Sequence, residues 1–101
     1  MSTVQEDAGE VLRLIESDGW WQAPQRPPWK GYCLAQAIDK VSGDLMLDNQ
    51  LMNVFAGVIA QRYPRILVTG FPSSNVVRFN DHKSTTFEDI IFVCKDVMTC
   101  R

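Results

Sequence analysis

Cys33, Asp81 and His82 are the residues whose chemistry would matter most if they met in space. A thiol, an imidazole and a carboxylate can supply a nucleophile, its base and the group that orients the base. A cysteine near a helix start is also placed where a thiol pKa can fall. Two features weigh against catalysis. Asp81 and His82 are adjacent, so the carboxylate cannot easily stand behind its neighbour's imidazole. Cys33 reads equally as a small apolar residue in the first turn of a helix. Asn80 and Asp81 stand ahead of a capped helix, where such side chains bond backbone groups in turns and at helix starts. The pattern therefore predicts packing at Cys33 and backbone bonding at Asn80 and Asp81. The alternative is a small enzyme or nucleotide-handling protein with a site near Cys33, Asn80, Asp81 and His82.

Other chemistries find little support. The three cysteines, Cys33, Cys94 and Cys100, are odd in number and widely spaced, and there is one histidine, so neither a structural zinc site nor any other metal or cofactor is expected. The chain has no Gly-rich phosphate loop and no serine nucleophile elbow. Ten basic against twelve acidic residues leave a net charge of −2, which argues against general nucleic-acid binding. An apolar fraction of 46% argues against disorder. No run of ~20 apolar residues exists to span a membrane. The stretch Met1–Asp7 lacks the basic and apolar regions of a signal peptide, which predicts a cytoplasmic protein with free thiols.

The aromatic residues are more informative. Trp20, Trp21 and Trp29 fall in one segment with Pro24, Pro27 and Pro28, a spacing that forbids a regular helix and predicts an aromatic loop. Tryptophans close small cores and also dominate protein interfaces. One or two should plug the core, and the remainder make a candidate partner-binding surface.

Four helices must position these residues. The first runs from a Thr3–Glu6 capping box to a stop at Gly19, with Val4, Ala8, Val11, Leu12 and Ile15 as its apolar stripe. Its outer face carries Glu6, Asp7, Glu10, Glu16 and Asp18 against Arg13, a solvated surface more readily than a mimic of DNA. The second runs from near Gly31 to Ser42–Gly43. The third starts at an Asp44 cap, carries Leu47, Leu51, Val54, Phe55 and Val58 with Met52, Ile59 and Tyr63 beside them, and ends at Pro64. Gly57 inside it predicts a point of tight packing, since a helical glycine costs roughly 1 kcal/mol relative to alanine. The last follows a Thr85–Glu88 capping box, with Phe87, Ile90, Ile91, Cys94 and Val97 inward. Between the third and last helices, Ile66–Thr69 and Val76–Phe79 are rich in β-branched and aromatic residues and flank a turn-like stretch. They predict a short hairpin over about 66–80. The expected architecture is a single mainly α domain over 1–101, four helices and that hairpin.

Four local motifs carry a resemblance. They are Asp18-Gly19-Trp20, Gly31-Tyr32-Cys33-Leu34-Ala35-Gln36-Ala37-Ile38, Phe79-Asn80-Asp81 and Thr85-Thr86-Phe87-Glu88-Asp89-Ile90. Over about residues 8 to 97 the chain resembles an uncharacterised family of small proteins of actinobacteria and their bacteriophages. Phe79 stands where that family usually has Trp, and the stretch from Pro64 to Val77 departs from its pattern. The resemblance implies a phage or actinobacterial context and no reaction. With no convergent catalytic set and a surplus of loop aromatics, the functional expectation is a non-enzymatic phage or prophage protein that binds a host protein. A homodimer is a further expectation, because the third helix is apolar around much of its circumference; Leu45, Met46 and Met52, with Trp21 or Trp29, are its candidate contacts.

Overall fold

The computed structural model describes residues 3–22, 31–43, 50–64 and 71–99. Among them lie five helices: α1 (Val4–Asp18), α2 (Leu34–Ser42), α3 (Gln50–Arg62), α4 (Pro72–Asp81) and α5 (Phe87–Thr99). No strand occurs among the described residues, only an isolated parallel bridge between Trp20 and Tyr32. None of these helices is long and apolar enough to cross a membrane.

α1 forms as its sequence dictates. Thr3 Oγ1 accepts from the Glu6 backbone N–H at 3.1 Å, and Glu6 returns the bond to the Thr3 N–H at 3.3 Å. Ala8, Val11, Leu12 and Ile15 are buried on one stripe. The helix stops at Gly19, whose φ of 107° favours glycine. α3 buries Leu51, Met52, Phe55, Ala56 and Ile59, with Val54, Val58 and Tyr63 half-buried beside them. The expected Asp44 cap and Leu47 lie outside the described residues. So do Leu45 and Met46 of the expected dimer contact, whereas Met52 is 1% exposed and sits in the core.

The expected hairpin and four-helix count are corrected. Ile66–Thr69 lie outside the described residues, but Val76–Phe79, the expected second strand, lies within α4. The reason is the face each residue takes. Val76, Phe79 and Asn80 are buried at i, i+3 and i+4, while Val77 and Arg78 are exposed. A strand would have sent Val77 and Phe79 to one face. Pro72 at the first helical turn fixes φ where its missing N–H costs nothing. Burial of Val76 and Phe79 against α3 then outweighs their β preference.

α1 packs most extensively on α5 and α3 on α4, with α2 touching both α1 and α4. Together they enclose one cluster around Phe55, Phe79, Ile15, Leu34 and Ile38. The aromatic rings of Tyr63 and Phe79 meet at 4.8 Å in a tilted arrangement.

Two glycines behave oppositely. Gly57 is exposed, and a Cβ built there would have nothing within 4 Å, so the tight packing expected at this point is absent. Gly31 has φ +86°, and a Cβ there would lie 2.0 Å from the Gly19 carbonyl oxygen. Gly57→Ala should therefore stabilise the protein by about 1 kcal/mol, and Gly31→Ala should destabilise it by more than about 2 kcal/mol. Urea denaturation of the two variants measures both signs.

Candidate functional site

The residues singled out for chemistry collect where α4 ends, α2 begins and the strap after α1 passes between them. α4's inward spacing drives Asn80 into the interior, fully buried on the last turn. Its Oδ1 accepts from the Trp20 indole N–H at 2.6 Å and from the Leu34 backbone N–H at 2.9 Å. Its Nδ2 donates to the Trp21 carbonyl at 3.1 Å and to the Asp81 carboxylate at 2.9 Å. Two acceptor positions and two donors are the whole capacity of a carboxamide. The Leu34 N–H is among the first of α2, a donor that no turn of that helix can satisfy.

The strap is fixed by its neighbours. The Trp21 N–H donates to the Tyr32 carbonyl at 3.2 Å, and the Tyr32 N–H donates to the Gly19 carbonyl at 2.9 Å. Close approach of Gly31 to Gly19 allows this register. The Gln22 amide nitrogen then donates toward three carbonyls of the α4–α5 turn: Asn80 at 2.9 Å, His82 at 3.0 Å and Thr85 at 3.3 Å. Trp20 packs its ring on Phe87 with centroids 5.8 Å apart. Trp20 and Trp21 are both half-buried against the core, and Trp29 lies outside the described residues.

Cys33 is the N-cap of α2 rather than a residue of its first turn, and the helix starts three residues later than Gly31. Its sulfur accepts from the Gln36 N–H at 3.4 Å, and the Gln36 side chain accepts from the Cys33 N–H at 3.2 Å. This is a capping box with sulfur in place of the usual hydroxyl. Burial raises the thiol pKa, the Gln36 N–H opposes the rise, and the nearby Asp81 carboxylate adds to it. The thiol stays protonated, the reverse of an activated nucleophile. His82 directs Nδ1 to Ser84, at 3.1 Å from its N–H and 2.7 Å from its Oγ. Asp81 lies near enough to act on the Cys33 thiol and adjoins His82 in sequence, but sulfur and imidazole each bond elsewhere. No group of three or more metal-ligating side chains forms among the described residues.

The cap of α5 also moves. Thr86 Oγ1 accepts from the Asp89 N–H at 3.2 Å, and the Asp89 carboxylate accepts from the Thr86 N–H at 2.8 Å. The box is Thr86–Asp89, one residue beyond the expected Thr85–Glu88. Thr85 is buried, with its Oγ1 lacking a protein partner, and Glu88 is exposed. Gln22 carries no local signal of its role, because these three carbonyls lie about sixty residues away, whereas the sulfur cap has one in Cys33 followed by Gln36.

Fold and site together define a small, mainly helical protein with a buried carboxamide where α2, α4 and the strap after α1 meet. The chain belongs to DUF6197, a family of unknown function whose family model matches residues 1–98. No curated protein and no solved structure matches it.

Removing the carboxamide isolates its contribution. Asn80→Ala removes the acceptor of the Trp20 and Leu34 donors and a donor to the Trp21 carbonyl, and should cost about 3 kcal/mol or more by urea denaturation. A second consequence concerns alkali. Burial, assisted by Glu16, pushes the Cys94 thiol up to about 12 from an ordinary 9.0. The unfolded chain gives up that proton first, so the contribution is complete below pH 9.0 and is lost as pH climbs toward about 12. Cys94→Ala should flatten the decline of stability over that interval, measured by urea denaturation at each pH. An unchanged slope would contradict the assignment.

Proposed function

We propose that this chain is a non-enzymatic binding protein of a phage or prophage, which meets a host protein in an actinobacterial cytoplasm through the aromatic segment containing Trp21 and Trp29. One observation carries the reading. The side chains best suited to chemistry are spent on the chain itself: Asn80 fills all four of its hydrogen-bonding positions, and the Cys33 sulfur caps α2. Large apolar side chains also stand at the surface. Phe71 is 66% exposed and Phe92 is 51% exposed. Such groups supply the contact area that protein partners bury. Trp20 serves a different purpose, because its indole N–H is committed to Asn80. The enzymatic alternative near Cys33, Asn80, Asp81 and His82 would have to work with an Asn80 carboxamide and a Cys33 sulfur already bonded within the chain.

The test is affinity capture on the immobilised full chain from an actinobacterial lysate, run beside the Trp21→Ala/Trp29→Ala double variant. The expected result is a host protein retained by the native chain and lost by the variant. Retention of background proteins alone, or equal retention by both, would overturn the reading.

A further inference from the structure

The outer face of α4 combines an exposed aromatic with a recess. Phe71, the N-cap, stands 66% exposed, and Val77 is 41% exposed. Beside Val77 runs an open groove of about 410 Å³ between α2 and α4. Its floor is Met52 of α3, and its sides include Ala35 and Asp39 of α2 and Ser74, Val77 and Arg78 of α4. Phe71, Ser74 and Arg78 are spaced i, i+3 and i+7, so they share one stripe.

We infer that a second copy of this chain docks here, with the two α4 helices antiparallel across a two-fold axis near Ser74. Projection and recess lie on the same helix, six residues apart, or about 9 Å along its axis. A two-fold through the midpoint of residues 71 and 77 places each Phe71 opposite the partner copy's Val77, filling both recesses in one step. That is the self-complementarity an isologous contact requires. Ser74 at the crossing is small enough to let the helices approach closely. The charges agree with this arrangement. The groove carries one acid, Asp39, and one base, Arg78, so each copy presents a face of no net charge to the other. Arg78 makes no ion pair with the described residues, and in the pair its guanidinium comes beside the other copy's Phe71 ring. The chain already uses this contact internally, where Arg62 sits 4.4 Å from the centroid of the Phe92 ring. A foreign helix could present an aromatic to the same groove, but it would leave Phe71 uncovered.

Sedimentation velocity of the full chain between 5 and 500 µM tests the inference. The mass should rise from 11.5 kDa toward twice that value with concentration. Phe71→Ser and Val77→Asp should each weaken association at least tenfold, and Arg78→Glu should weaken it severalfold. All three positions are exposed, and serine is a better N-cap than phenylalanine, so the variants should fold, as circular dichroism will show. Phe92→Ser, an exposed phenylalanine on α5, is the control and should leave the mass profile unchanged. A mass of 11.5 kDa at every concentration would overturn the inference, as would a dimer indifferent to the α4 variants. A monomer whose capture of a host protein is lost in Val77→Asp would assign the groove to a foreign partner and equally overturn it.

Discussion

The fold depends on a single buried carboxamide. Asn80 joins three stretches that are far apart in sequence: the strap at Trp20 and Trp21, the first N–H of α2 at Leu34, and its own neighbour Asp81 at the end of α4. Each bond alone is worth about 1 kcal/mol net, but leaving a buried partner unmet costs about 1–3 kcal/mol. The constraint is therefore strongest as a prohibition. Aspartate would lack the two donors, leucine would lack everything, and glutamine would place the group one methylene too far. Satisfied in full, the amide fixes where the strap crosses and where α2 starts. The strap then carries Gln22 to the three carbonyls of the turn before α5.

How much of this could be read from the sequence follows from the range of each interaction. α1 was legible almost completely, because its capping box and stripe involve residues within four positions of one another. α2 and α5 were legible as helices, but their first residues shifted. At α5 two threonines and two acids offered overlapping boxes, and burial of Thr85 chose between them. The second half of α4 reads locally as a strand for a related reason. Local preference at Val76, Val77 and Phe79 favours a strand, and only packing against α3 makes the period 3.6 rather than 2. Asn80 sits 46 residues from Leu34 and 60 from Trp20, so its role had no local signature. Its identity as a backbone-bonding residue was legible, and its partners were not.

The same constraint shapes the chemistry that remains available. A helix N-terminus lowers a thiol pKa when the thiol is accessible, yet Cys33 is buried and flanked by Asp81, and burial prevails over the Gln36 and Ala35 N–H groups that favour the thiolate. His82 stands beside Asp81 in sequence, but the turn that Gln22 grips directs its Nδ1 to Ser84. The bonds that hold the fold occupy the Cys33 sulfur and the His82 Nδ1, so their gathering at this end of α4 does not pair a nucleophile with its base.

Hydrogen exchange followed by NMR tests the central role of Asn80 most directly. The indole N–H of Trp20 and the backbone N–H of Leu34 both end on its Oδ1. The account predicts that both exchange only through global unfolding, at rates matching the buried amides of Ile15 and Phe55 and with the same dependence on denaturant. Exchange of either proton orders of magnitude faster than those amides would contradict it, because the carboxamide would then be released without the fold.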